Sequence, residues 1–563
     1  MRNFFHEKKR YLFPTVHFLL SFLYERCVLL FGAGRDIVLP ISRNNIISDT
    51  AERVLGYIIS KLLAAVLIFS LWHLFFWVID NWKAKKNIRF FLIFFAVCLI
   101  GVVLLWPTPF VDSIDNYITY SFARRFWPEY WHSAYTGFLY AAVLMVAPHP
   151  IFITIYQLAF GFFVLGYLYN RIVDSPVLNG KGKYCVFLIF LMPGVYRVFT
   201  NAYRTEPYAW LCMYAVSMTA MDVVDQRKRG TLNLICNIFL CGFISVWRTE
   251  GFIFGFLLFL VQLLYIYKYR PLKSTLMFLC MLLSFGMFLL PQKLGDIKYY
   301  GKDYSFINSF PTLKNILSSS DADLSYEGVE ADLAALEAVV PVELIRYYGM
   351  DGYRRYNYAN GRDDINQSLA DDETASAYMK AYYRMVWHNL PIYIKTQTSM
   401  LLNALMIIPQ SYVVASDQLP DYDLPPWKLK SWDIGQQDFL DTDHIMKWTN
   451  CGFHQRFSYL AMRAMEILFG ALRETYFYTL VLILIPLCEI YLFFREGIRY
   501  VRRKENLFGL AGIAFLLLGQ AAAIVLVMPA GTLVYFHAYY YCSFILCLIY
   551  VNCLRCRRAK GSR

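Results

Sequence analysis

The chain has 563 residues, of which 58% are hydrophobic, 18% aromatic and only 17% charged, with a mean hydropathy of +0.40. Soluble domains carry about a quarter charged residues, so this composition excludes an ordinary soluble globular protein. The net charge of +13 does not point to nucleic acid either, because no basic groove interleaved with aromatic residues accompanies it.

The apolar residues fall in blocks separated by short charged links. About 20 consecutive apolar residues span a bilayer as a helix, and a lipid-exposed backbone must satisfy its own hydrogen bonds. Taken in chain order, membrane spans are expected near 11–31, 54–80, 90–106, 151–172, 184–200, 207–224, 231–247, 250–267, 275–291, 471–494, 507–528 and 533–552. The basic amino terminus is not followed by a small-residue cleavage site, so no removable signal peptide is expected. Two further apolar runs, 133–147 and 391–413, are either short or interrupted by Lys395, Gln397, Asn403 and Gln410. Both are expected to lie on the outer membrane surface without crossing.

Charge placement orients the spans. The stretch 292–470 holds 16 Lys and Arg against 23 Asp and Glu, so the rest of the chain carries +20. Basic links at 1–11, 81–89, 180–183, 226–230, 268–273, 495–505 and beyond Arg555 read as cytoplasmic by the positive-inside rule. Both termini are then cytoplasmic, and 292–470 is an external acidic domain, expected to be of mixed secondary structure. Four regions result: membrane helices in 1–89, a transmembrane core in 90–291 with its first external loop at 107–150, the domain 292–470, and C-terminal helices with a basic tail in 471–563. Twelve of the 13 cysteines belong to apolar blocks or their ends, and only Cys451 lies in the acidic segment, so that domain must fold without an internal disulfide. Cys553 and Cys556 form a CxxC with no further ligands nearby, and read as thiols at a span end rather than a zinc site.

The residues that could carry chemistry gather on the outer side. Asp112 and Asp115 follow directly on a span, three residues apart and on one helical face if that segment is helical. A carboxylate at the membrane boundary, near Arg124 and Arg125, is a candidate general base; polar loops between spans also contain such residues as a matter of course. The same loop continues through Glu129, Tyr130, Trp131 and His132. Two copies of Arg-Thr-Glu follow, at Arg204 to Glu206 and at Arg248 to Glu250, the second closed by Gly251. Guanidinium grips phosphate oxygens through a bidentate fork that ammonium lacks. Interfacial ion pairing is the competing account of these arginines. His537 lies in an aromatic run, Tyr535 to Tyr541, and could donate to a ligand or simply belong to an interfacial belt. Three Asp-x-Asp pairs, Asp321 with Asp323, Asp421 with Asp423 and Asp441 with Asp443, are of the kind that holds a divalent metal in nucleotide-sugar enzymes, but an acidic domain yields such pairs by chance and they read here as that.

The order of these features resembles the C-type (GT-C fold) membrane glycosyltransferases, which take a sugar from a polyprenyl-phosphate lipid and include protein O-mannosyltransferases, aminoarabinose transferases and bacterial RgtA/B/C/D-like transferases. The residues that carry the resemblance are Asp115, Asn116 and Tyr117 after a span, Glu129 through Tyr135 approaching a surface helix, and the turn Arg248, Thr249, Glu250, Gly251. It covers about residues 90–300 and extends to the rest only by layout. The chain departs from the pattern at Asn116, where many members have a second acid, and in the additional pair of spans before residue 81. Asp112 also competes with Asp115 for the aligned position. The resemblance implies an α-helical polytopic membrane protein of about 12 spans in the plasma (inner) membrane, acting as an inverting transferase. Asp115 or Asp112 would be the base. Arg204, Glu206, Arg248, Glu250, Arg124, Arg125, His132 and His537 would bind donor phosphate or substrate. No cofactor or protein-bound metal is required for a monophosphate donor, although a divalent ion stays open. The partners implied are a polyprenyl-phosphate sugar, a glycan, lipid or protein acceptor, and membrane lipids, with no nucleic acid. A lipid-linked glycan polymerase or ligase, and a multi-span transporter, are the alternatives.

The topology is checked with a variant retaining Cys451 as its sole cysteine. An impermeant thiol reagent is expected to label it on intact cells; labelling only after the membrane is opened, with the folded domain shown to be accessible, reverses the orientation.

Overall fold

The structure is a computed structural model that describes residues 2–29, 48–82, 86–105, 114–128, 133–178, 180–193, 195, 205–225, 231–267, 271–298, 304–348, 371–405, 407, scattered positions in 460–476, and 477–503, 508–528 and 533–561. Among these residues all regular structure is helical. Five helical segments are long and apolar enough to cross a membrane: Asp49–Asn81, Ile151–Asp174, Phe477–Arg502, Gly509–Leu526 and Leu533–Cys556.

The chain opens with a helical hairpin, α1 (Arg2–Val28) and α2 (Asp49–Asn81). Ser48 caps α2 by accepting from the Ala51 amide, and Asp49 and Glu52 in its first turn complement the positive end of the helix dipole. The two helices run antiparallel. Glu25 meets Lys61 at 2.8 Å near one end, and Arg10 pairs with Asp80 near the other. Lys61 also donates to Ser21 and sits 3.5 Å over the Phe22 ring, so its charge is met on three sides.

Next come α3 (Lys86–Leu105), α4 (Ile114–Arg124), α5 (Ala134–Val146) and α6 (Ile151–Asp174). Helix α5 departs from expectation. It does not lie on a surface: every described side chain from Ala134 to Met145 is buried, with α1, α2 and α4 packed around it. Its sequence is apolar on all sides, and a helix without a polar face gains most by being enclosed. His17 and Trp72 fix its far end. Trp72 donates to His17 Nδ1 at 3.1 Å, which leaves the ring proton on Nε2, 2.9 Å from the Val146 carbonyl.

The expected span at 184–200 is realised as a 3-10 helix over Gly180–Leu191, and residues 196–200 lie outside the described residues. The following helices are α7 (Thr205–Asp225), α8 (Thr231–Trp247), α9 (Thr249–Tyr267) and α10 (Pro271–Lys298). Gly161 of α6 faces Trp210 of α7, and a Cβ there would lie 2.7 Å from the indole. Below that contact Arg171 bonds Asp222 at 3.1 Å and Asp225 at 3.2 Å. Gln262 of α9 donates to Thr219 of α7 at 2.9 Å and accepts from Asn237 of α8. These buried polar groups thus find their partners on neighbouring helices of the bundle.

A separate module follows, built of α11 (Tyr304–Ser318), α12 (Val329–Glu337), α13 (Val342–Tyr348), α14 (Asp372–His388) and α15 (Leu390–Ala404). Its described residues contain no strand, so the mixed structure expected for 292–470 is not found among them. The core holds Phe310, Leu313, Leu336, Val340, Ile345, Tyr378 and Met385. Asp332 is fully buried; it accepts from Tyr326 at 2.7 Å and pairs with Arg384. Asp323, of the first Asp-x-Asp pair, accepts from the amide and hydroxyl of Ser325, and these bonds hold its carboxyl below the usual carboxylate range. It shapes a turn here. The other two pairs lie outside the described residues.

Helices α16 (Phe477–Arg503), α17 (Phe508–Val527) and α18 (His537–Gly561) complete the chain, the last preceded by a 3-10 turn at Leu533–Phe536. The α15 residue Tyr393 donates to the Leu526 carbonyl of α17 at 2.9 Å, joining the module to the bundle.

Asp332→Ala should destabilise the 304–405 module by about 1–3 kcal/mol, since it leaves a buried phenol and a guanidinium without their acceptor. Faster amide hydrogen exchange in α12 and α14, with α6 and α7 unchanged, is the expected signature.

Candidate functional site

The Arg248 turn is the best-formed of the sites expected from sequence. Helix α8 ends at Trp247, and α9 begins at Thr249, so Arg248 alone makes the link. The Gly251 amide donates back to the Arg248 carbonyl at 2.9 Å. A Cβ on Gly251 would fall on the Ile244 carbonyl oxygen and 3.1 Å from the Tyr208 ring. Only glycine lets the two helices close this tightly. The sharp turn brings Arg248 Nε onto Glu250 Oε1, with both side chains largely withdrawn from solvent.

Two aromatic rings complete the setting. The guanidinium carbon lies 5.8 Å from the centroids of both Tyr208, on α7, and Tyr535, in the 3-10 turn before α18. Tyr208 is itself held by Gln520 of α17, which donates to its hydroxyl at 3.3 Å. Four parts of the chain thus position one arginine. A guanidinium in such a low-exposure, aromatic setting can exchange one carboxylate for a phosphate of similar bidentate geometry. Of the residues around it, Tyr208 and Gln520 had no motif to announce them. Tyr535 stood only as one ring of an aromatic belt.

His537, expected as a ligand-binding group, is buried two residues beyond Tyr535 and stacks on Tyr541 at 5.6 Å. Tyr541 in turn donates to the Pro193 carbonyl at 3.0 Å. This places His537 in the packing of the first turns of α18, next to the Arg248 site along the chain.

Arg124 and Arg125, expected to bind donor phosphate or substrate, bond backbone carbonyls at helix ends in the structure. Both are buried. Arg124 donates to the Val28 carbonyl at the end of α1 at 2.8 Å, and Arg125 donates to the hydroxyl and carbonyl of Ser121. The Arg125 carbonyl accepts from Arg53 of α2 at 3.1 Å. Arginine is well suited to this because its several donors can satisfy the carbonyls left over at helix ends. These contacts tie α4 to the opening hairpin.

Asp115 falls in the first turn of α4 and Glu206 in the first turn of α7, with their side chains outside the described residues. Asp112, His132 and Arg204 lie wholly outside them. The convergence of aspartates and arginines therefore stays an expectation.

A second polar cluster was missed. Glu489 sits twelve residues into α16 and is fully buried. It accepts from Tyr539 of α18 at 2.8 Å. Seven residues on, Glu496 accepts from Tyr550 at 2.7 Å and from Arg499 at 3.2 Å. Its signal was a lone carboxylate in the apolar run Phe477 to Phe494, which a reading focused on span ends passes over.

Gly251→Ala should open the α8–α9 turn and cost about 1–3 kcal/mol, the range for forcing atoms into a filled space. Gly286→Ala, where nothing lies within 4 Å of the new methyl, should leave thermal unfolding of the detergent-solubilised protein unchanged or slightly raised.

Comparison with protein-family models, curated proteins and solved structures returned no match.

Proposed function

We propose that the chain is a membrane glycosyltransferase of about 12 spans that moves a sugar from a polyprenyl-phosphate donor to an acceptor hydroxyl on the side away from the cytoplasm. The observation that supports this most is the Arg248 turn: an arginine paired with Glu250 between two tyrosine rings, at the junction of two apolar helices. Such a group can take the phosphate of a lipid carrier while the carrier's chain stays in hydrocarbon.

The chemistry assigned is an inverting displacement. Asp115, or Asp112, removes the proton of the acceptor hydroxyl. That oxygen bonds to the anomeric carbon as the bond from that carbon to the phosphate oxygen breaks. The electron pair leaves on polyprenyl phosphate, and Arg248 with Arg204 balances the charge that grows there. The reaction as written needs no metal. A polymerase or ligase acting on lipid-linked glycans would use the same arginines and differ in its acceptor.

Glu489 favours a second reading. A buried carboxyl in the middle of a membrane-length helix is a hallmark of ion- or proton-coupled transport. Loss of a specific sugar from envelope glycans in cells lacking the protein, read by mass spectrometry, supports transfer; an unchanged glycan profile supports transport. In the transferase, Asp115→Asn should lower turnover by about 10²–10⁴, the usual cost of losing a general base, with donor binding retained. Arg248→Ala should weaken donor binding as well. Normal turnover in both Asp115→Asn and Asp112→Asn would remove the mechanism.

A further inference from the structure

Helix α14 buries one apolar face and carries two aromatic side chains on the opposite, exposed side. Tyr378, Ala381, Tyr382 and Met385 are buried, against α11 and α12. Tyr383 and Trp387 point the other way, and the same stripe continues into α15 with Leu390 and Ile394. Their spacing of four, three and four residues keeps them on one side at about 100° per residue. The small break at Asn389 does not interrupt the stripe, because the Tyr393 amide still bonds the Asn389 carbonyl at 3.1 Å. Trp387 is 72% exposed, Tyr383 61% and Ile394 60%.

We propose that this stripe is seated in the interfacial layer of the bilayer that the apolar helices cross, and that it anchors the 304–405 module against phospholipid. Three observations converge. First, Tyr393 is bonded to the Leu526 carbonyl in the last turn of α17, so α15 is held at the level where a membrane-length helix ends. Second, the exposed apolar surface is continuous in kind: Phe515 and Leu526 on α17 are more than half exposed, as the outer side of a span must be. Third, tryptophan and tyrosine are the residues that settle between headgroup and acyl chain. Lys380 and Lys395, both exposed beside the stripe, can reach lipid phosphates while their stems lie along it. The proposal rests on the apolar helices spanning a bilayer and is independent of the chemistry the protein performs.

The test uses the full chain in nanodiscs of phosphatidylethanolamine and phosphatidylglycerol. A photoreactive benzoylphenylalanine replaces Trp387, Tyr383 or Asp321 in turn, and Leu283 of α10, 74% exposed, as the lipid-facing reference. After illumination, lipid adducts are counted by mass spectrometry. Adducts at 387 and 383 approaching the yield at 283, and several-fold above that at 321, bear out the proposal. Adducts at 387 and 383 no higher than at 321, or crosslinks there to a second copy of the chain in place of lipid, overturn it.

Discussion

Helix α7 and helix α18 meet along much of their length, and most of the bundle is placed by reference to that seam. From Tyr208 to Val224 nearly every α7 side chain is buried, so α7 has no free face and each neighbour must fit it. Trp210 fits the groove at Gly161 of α6. Tyr208 reaches Gln520 of α17, and Asp222 and Asp225 receive Arg171. Shifting α7 by one turn would separate all of these at once, leaving charged and polar groups without partners in an apolar interior, where each costs several kcal/mol. The Arg248 site inherits its rigidity from this: Tyr208 is one wall of it, and α18 follows directly on the Tyr535 wall.

The same requirement explains the pattern of buried polar groups. Gln262 with Thr219 and Asn237, Glu489 with Tyr539 and Glu496 with Tyr550 each join two or three helices across the bundle. Between helices in hydrocarbon, apolar surface alone does not specify which neighbour belongs where. A few hydrogen bonds between particular residues can, because a wrong pairing leaves them unmade. Glu489 belongs to this set by geometry whatever further use the protein makes of it.

Several apolar helices were legible because a long run of apolar residues leaves little choice of structure. The α6, α7, α8 and α9 boundaries follow the apolar blocks closely, and so does the α17 boundary. What the sequence left open shares a cause. For α5, shortness for a span suggested a surface position; its enclosure depends on α1 and α2, whose register no local pattern reveals. For Arg124 and Arg125, the contacts to the Val28 carbonyl and to Ser121 appear only in three dimensions. The Arg248 turn was readable because its chemistry is local: Arg, Glu and Gly within four residues fix one another. Tyr208 and Gln520 come from distant parts of the chain and carry no such signature.

The enclosure of α5 has a consequence for how the protein is made. At 13 residues it extends about 20 Å, too short to hold both of its ends at water. Its last carbonyl is met by His17, and Gly56 of α2 lets that helix approach until the Phe126 carbonyl and the Phe138 ring fill the space a side chain would take. All of these partners precede α5 in the chain or belong to it, so they are synthesised before α5 is complete. A chain begun after residue 89 would lose the His17 contact to the Val146 carbonyl and the Gly56 approach to the Phe138 ring. The opening pair of helices thus completes the fold of the segment that follows it.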